Sequence, residues 1–192
     1  MEPIILIGGG GHCRSCIDVI ESEGRFRIEG IVDLTEKIGE DILGYKIFAS
    51  DDDLGDLARE YKYFLLTIGQ IGISLKRMTL FNRLIELNAS FPVIISPMAY
   101  VSKHSKIGDG TIIMHHALVN ANTIIGRNCI INSKSLIEHD VEIGDNVHVS
   151  TGSLINGGVK VGNNSFIGSG AVCKHSILIP PDTFVKASSL IK

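Results

Sequence analysis

The sequence predicts two parts of different class: an α/β N-terminal part, built as a small parallel sheet with crossover helices, and then a parallel β-helix. Three observations carry this. Counting in sixes from Ile95 to Ile191 gives 17 positions, of which 16 are Ile or Val and the other is Cys173. The first third instead alternates short apolar runs with helix-like stretches. The composition suits both parts, because Ile accounts for 30 of 192 residues while aromatics are 6% and Trp is absent. An interior of β-branched aliphatics favours strands.

In chain order, residues 3–9 (PIILIGG) read as a short buried strand running into the four glycines Gly8 to Gly11. A helix follows from His12 to Glu23. A second strand, Ile28 to Val32, ends in Asp33, and after a loop and a short helical stretch Tyr63 to Ile68 reads as a third strand stopping at Gly69-Gln70. A further helix spans Ser74 to Asn88. Strands alternating with helices give a Rossmann-like sheet, with the glycine turn and Asp33 at carboxyl ends of strands, where such sheets hold ligands. A dinucleotide fingerprint would need G-x-G-x-x-G, but Gly8-x-Gly10 meets Cys13 and Gly9-x-Gly11 meets Arg14 at the third position. This argues against a nicotinamide enzyme. Glycines let backbone N–H groups approach an anion at a helix N-terminus, so a nucleotide or nucleotide-sugar phosphate is the better reading. A tight turn without a ligand is the bland alternative.

From Ile95 onward, each hexapeptide reads as one short strand plus a corner. Three make an 18-residue coil, and coils stack at strand spacing, about 4.8 Å. Small residues precede the inward position by two (Ala99, Ser105, Thr111, Ala117, Thr123, Cys129, Ser135) and are expected at the tight corners, while the flanking residues point outward. Sorting the outward residues in steps of 18 gives one unbroken apolar face, Leu118, Leu136, Leu154, Val172 and Leu190. A monomer is not expected to expose such a stripe, so a homotrimer packed around it is predicted. The domains are therefore 1–92, a nucleotide-sugar-binding part, and 93–192, the β-helix.

A net charge of −3 offers no basic surplus, which excludes nucleic acid as the expected partner. MEPIILIGGGGH has no cationic start and too short an apolar run for a signal peptide or membrane span, so the chain reads as cytoplasmic, without membrane insertion. Its four cysteines then read as reduced thiols, and Cys13-x-x-Cys16 as a helix feature rather than a redox pair.

The hexapeptide period resembles that of left-handed parallel β-helix acyltransferases. GGGGH after the first strand, Asp33 after the second, Ile68-Gly69-Gln70, Ile137-Glu138-His139-Asp140 and Val147-His148-Val149 together resemble the bacterial sugar acetyltransferases of surface-glycan synthesis. That family includes sialic acid O-acetyltransferase-like proteins and UDP-4-amino-sugar N-acetyltransferases. The resemblance implies His139 as general base and Asp140 as the carboxylate that raises its basicity. It also implies that His148, Gly157, Ser169 and Ala187 line an acetyl-CoA groove between subunits. Gly10, Gly11, His12, Asp33, Gly69 and Gln70 are implied to hold the activated sugar, and no metal is needed. The chain departs from the family pattern in having Ala187 where Gly is common and in lacking the usual Gly-x-Pro-Ala-Lys tail.

The spacing supports His139 independently. It lies two residues past an inward Ile, at a corner beside the apolar stripe, with Gly157 one coil onward and Ala121 one coil back. A small residue there leaves room for a thioester, and its backbone N–H is placed to meet a developing oxyanion. Imidazole titrates near operating pH, and a carboxylate on its other nitrogen fixes the tautomer. Direct transfer in a ternary complex is expected. His104, His115, His116 and His175 lack a carboxylate neighbour, and Cys129 and Cys173 occupy interior slots. The expected function is N-acetylation of a UDP-4-amino-4,6-dideoxy sugar. The alternatives are O-acetylation of sialic acid or a related nonulosonic acid and, from another class, a non-catalytic trimeric sugar-nucleotide scaffold.

Overall fold

The structure is a computed structural model describing residues 1–192. The chain divides into two compact units, one comprising Met1–Gly69 with Leu75–Pro92 and the other Gln70–Ser74 with Val93–Lys192.

The first unit is built from β1 (Glu2–Ile7), α1 (Gly11–Glu23), β2 (Phe26–Asp33), β3 (Asp41–Ile42), β4 (Tyr45–Ser50), α2 (Leu54–Glu60), β5 (Tyr63–Leu66) and α3 (Leu75–Glu86). Strand order is β3-β4-β2-β1-β5, parallel throughout except where β3 pairs antiparallel with β4. The sheet is thus mixed rather than wholly parallel, and β4, with β3 at its edge, replaces part of the expected loop. Ile47 and Ala49 of β4 are buried while Lys46 and Phe48 face out, the alternation of a strand with one covered face. The hairpin turn itself was disguised. Leu43 (φ 52°) and Gly44 (φ 89°) both take left-handed backbone, as a two-residue type I′ turn requires. Leu is rare in that conformation, so the usual Asn-Gly signature is missing.

Ile4 to Ile7 are fully buried, because a central parallel strand is covered on both faces. Gly8 turns the chain out of β1 at φ 103°, and a Cβ on it would stand 2.3 Å from Ile68 Cγ1. No other residue fits there.

The second unit is a three-sided parallel β-helix. Its sheets have six, five and six two-residue strands, and partners lie one 18-residue coil apart, as in Leu118↔Leu136, Ile124↔Glu142 and Ile130↔His148. The core is one column of Ile and Val, from Ile113 to Val185, with Cys173 taking one of their places. The corner position two before each inward residue is not restricted to small side chains, since Val serves there as well. Ala117, Cys129, Val141, Val147 and Val159 sit inside that core and fill the corners from within. Corner hydroxyls are satisfied by carbonyls of neighbouring coils, as in Thr123 Oγ1 to Glu138 O at 2.9 Å and Ser153 Oγ to Gly168 O at 2.9 Å.

The turning is done three residues after each inward position, where backbone with φ of 54–71° recurs every six residues from Gly110 to Ser188. Gly, Asn and Asp fill most of these places, the residues that tolerate left-handed backbone best. Gly108, Gly126 and Gly144 have a separate reason: a Cβ at Gly108 or Gly126 would come within 2.6 Å of the backbone one coil on.

The outward faces differ. Ile94, Ile112, Ile130, His148 and Phe166 are buried, and only Phe184 of that column is exposed. The Leu118–Leu190 stripe is partly open, with Leu154 38% and Leu190 55% exposed.

Candidate active site

The β-helix register decides what surrounds His139. The coil places it on a corner, and the next residue, Asp140, takes the left-handed turn position at φ 59°. This folds the Asp140 carboxylate back towards the imidazole, with Oδ2 2.7 Å from His139 Nδ1. Facing a carboxylate, Nδ1 carries the hydrogen and donates it, which leaves the Nε2 lone pair available. His139 is well exposed, with its side chain 58% accessible. The hydrogen bond to Asp140, with added attraction from Glu138 and against slight desolvation, raises the His139 pKa above 6.5. Asp140 is held below the ordinary carboxylate value, first by a hydrogen bond from Asn122 and then by His139.

The coil beneath supplies two amide donors in register. Asn122 Nδ2 donates to Asp140 Oδ1 at 2.6 Å, and Asn120 Nδ2 donates to Glu138 Oε2 at 2.9 Å. Both carboxylates flanking the base are therefore fixed from below. Sequence reasoning missed Asn120 and Asn122, although the signal was present as amides 18 residues before the two acids.

The coil above supplies Gly157. A Cβ there would stand 2.8 Å from His139 Cε1 and 2.9 Å from Nε2, so the imidazole itself packs against the glycine. The expectation that Gly157 makes room for a thioester is thus extended, since the glycine is needed first for the ring. Its N–H has no acceptor within the chain, because the preceding Asn156 points its amide at Cys173 O, 2.7 Å away.

His148 is 7% exposed, stands edge-on to Phe166, and has both nitrogens engaged. Nδ1 donates to Gln70 O at 2.6 Å, which leaves Nε2 to accept from Asn132 Nδ2 at 3.1 Å. A cofactor atom reaching this ring would have to displace one of those bonds. Ser169 and Ala187 are exposed and stack one coil apart at the corner on the other edge of the leucine stripe, and Ser169 Oγ lies 2.9 Å from Ser150 Oγ. Within one chain they stand at a different corner from His139.

In the first unit, a cleft of about 190 Å³ is lined by Gly8, Gly10, Asp33, Lys37, Asp51, Ile68, Gly69 and Lys76. Gly10, Asp33 and Gly69 were expected there. Asp33 is buried and accepts from Gly9 N (2.7 Å), Leu34 N (2.7 Å) and Lys37 Nζ (3.2 Å), so it shapes the glycine loop as well as lining the cleft. Burial alone would raise its pKa, but the Leu34 and Gly9 amides and Lys37 outweigh this and hold it low. A Cβ on Gly10 or Gly11 would meet nothing within 4 Å, so this protein's own packing does not demand glycine at either place. The space is open to a ligand, at the uncapped start of α1. His12 is half-buried against Gly69. Gln70, expected as a substrate contact, does not line the cleft. It is buried, and its side chain donates to Asn146 O at 3.0 Å. Lys37 and Lys76, the latter 3.2 Å from Asp51, are cleft cations that sequence reasoning missed, because isolated lysines carry no spacing signal.

Other candidate chemistry is closed off. Burial raises the thiol pKa of Cys13 to about 11, raises Cys16 further, and all four cysteines are free and buried. His115 Nδ1 lies 2.6 Å from Ser96 Oγ. No helix is long and apolar enough to cross a membrane.

With this geometry established, comparison with known proteins adds the following. The PglD N-terminal domain family matches residues 3–84, and the bacterial transferase hexapeptide (six repeats) family matches 104–139, 122–157 and 140–175. A search of curated protein sequences gives no match. Among solved structures, a mutant of perosamine N-acetyltransferase from Caulobacter crescentus, in complex with CoA and GDP-perosamine, is 28% identical with a TM-score of 0.93, covering 100% of this chain and 89% of that one. The acetyltransferase domain of PglB from Neisseria gonorrhoeae, in complex with acetyl coenzyme A, is 24% identical with a TM-score of 0.89, covering 99% and 92%, and bears on the fold. WeeI from Acinetobacter baumannii shares the fold at 19% identity, with a TM-score of 0.65 and coverage of 100% and 94%.

Proposed function

From a chain that joins a PglD N-terminal domain to hexapeptide-transferase repeats, we propose a sugar acetyltransferase of the hexapeptide superfamily, one that N-acetylates a nucleotide-activated amino sugar with acetyl-CoA in glycan biosynthesis. The observation that carries this reading is the His139 imidazole, oriented by Asp140 and lying against Gly157, whose N–H has no acceptor in the chain.

In this reading, His139 Nε2 accepts the proton shed by the acceptor amine as its nitrogen bonds to the thioester carbonyl carbon. Asp140 stabilises the imidazolium so formed. The Gly157 N–H meets the negative charge building on the carbonyl oxygen. The imidazolium returns the proton to sulfur as the C–S bond breaks, giving amide and free thiol. No acyl-enzyme is needed, in keeping with the buried, weakly acidic cysteines.

For the acceptor, the cleft offers the start of α1 and the cations Lys37 and Lys76 to a diphosphate, with Asp33 beside the loop. GDP-perosamine in the Caulobacter complex supports a nucleotide-linked acceptor; uridine as the base and a 4-amino-4,6-dideoxy sugar remain our own expectation. We place the enzyme in the cytoplasm as a homotrimer. The open leucine stripe supports the trimer. It runs between the His139 corner and the Ser169–Ala187 corner, so threefold packing across it brings the two kinds of corner towards one another in neighbouring subunits.

The test is thiol release from acetyl-CoA with UDP- and GDP-linked 4-amino sugars and sialic-acid-type acceptors, followed by treatment of the isolated product with alkaline hydroxylamine. Release with an amino-sugar nucleotide and a hydroxylamine-resistant product is expected. A hydroxylamine-labile ester would move the enzyme to the O-acetyl branch. Failure to bind acetyl-CoA at all would leave only the scaffold.

A further inference from the structure

The residue one past each inward position has a recurrent duty in this β-helix. At three of the four positions where it is Asn or Glu, its side chain folds back and accepts the N–H of the residue that follows. Asn120 Oδ1 accepts from Ala121 N at 2.7 Å, Asn132 Oδ1 from Ser133 N at 2.8 Å, and Glu138 Oε2 from His139 N at 3.3 Å. Each closes off a corner amide.

Asn156 occupies the same place and breaks the pattern. Its Nδ2 donates to Cys173 O at 2.7 Å, alongside a backbone bond from Asn156 N to the same oxygen at 3.3 Å. The amide it leaves uncovered is that of Gly157, the glycine against which the His139 ring packs. Among the Asn and Glu residues at this place, Asn156 alone leaves its corner amide uncapped, and that amide is the one next to the base.

We propose that Asn156 is a positioning residue for acetyl transfer: by turning its carboxamide to the Cys173 carbonyl, it keeps the Gly157 N–H free to bind the oxyanion. The inference rests on the transferase reading above. The carboxamide is suited to this because it carries a donor for Cys173 O. A carboxylate of the same size has no donor, would be repelled by that carbonyl, and would rotate onto the Gly157 N–H as Glu138 does onto His139 N. The ionisable groups around the His139 corner are Glu138 and Asp140 on its own coil. The preceding coil contributes the neutral amides Asn120 and Asn122, the next coil contributes Gly157, and Lys103 and His175 lie two coils away in the same column.

The experiment compares Asn156→Asp with Asn156→Ala, measuring kcat and both KM values across pH with native-state stability as a control. Masking one oxyanion donor is expected to lower kcat of the Asp variant on the order of 10²-fold or more, with both KM values nearly unchanged. Ala cannot mask the amide but loses the bond that ties this corner to Cys173 O, so a smaller fall, roughly tenfold, is expected, and an Ala variant at the wild-type rate would show that the carboxamide positions nothing. A deficit due only to the added charge acting on His139 would be recovered above the acid limb, whereas a masked amide stays masked, so the deficit should persist on the alkaline plateau. An Ala variant as impaired as the Asp variant, or full recovery at high pH, would overturn the inference. Absence of transfer by the wild-type protein with every acceptor would instead count against the underlying reading, which keeps the two failures apart.

Discussion

The His139 imidazole sits where three residues from three coils agree. Asp140 takes Nδ1, Asn122 steadies Asp140 from below, and Gly157 receives the ring from above. Two predictions belong here. Gly157→Ala places a methyl 2.8–2.9 Å from Cε1 and Nε2, and the exposed ring moves rather than the backbone. Near-normal thermal stability with kcat reduced about 10²-fold is expected, since a displacement near 1 Å has that effect on rate. Secondly, Asp140→Asn removes the carboxylate that raises the His139 pKa, while Asn still suits left-handed backbone. The reactive form is the neutral imidazole, so the acid limb of kcat/KM lies above pH 6.5 in the wild type and should move down towards it in the variant, with kcat also reduced. His139, Asp140 and Gly157 were legible because the six-residue period fixes which residues stack. The duties of Asn122 and Asn156 were not, because they depend on which way a carboxamide turns.

At the scale of elements, the glycine loop after β1 depends on Asp33 at the end of β2. Asp33→Ala removes the acceptor of the part-buried Gly9 and Leu34 amides, at a cost of about 1 kcal/mol each. A lower melting temperature together with a raised acceptor KM and an unchanged acetyl-CoA KM is expected. Because the native carboxyl is held below 3.8, this contribution is complete above that pH and fades as pH falls through the lower native value. The elements themselves were unevenly legible. The β-helix was visible in its period, and β1, α1 and β2 in their apolar runs. The β3–β4 hairpin was hidden by a Leu-Gly turn, and the 70–74 segment packs with the β-helix through Gln70, a tertiary contact that no local pattern announces.

For the whole molecule, the leucine stripe is the apolar face that the single chain leaves partly open, whereas the Ile112–Phe166 face is already buried. Leu136→Glu should convert a trimer into monomers in light-scattering measurements and abolish transfer while leaving the β-helix folded, because Leu136 points outward and its inward neighbour Ile137 is untouched. A monomeric wild-type protein in the same measurement would remove the basis for a shared site. The central claim, however, is that His139 is the base for acyl transfer, and the most direct measurement is kcat for thiol release from acetyl-CoA in wild type and His139→Asn, with an amino-sugar nucleotide as acceptor. A fall of two or more orders of magnitude is expected, with acetyl-CoA binding retained. Equal rates in the two proteins would contradict it.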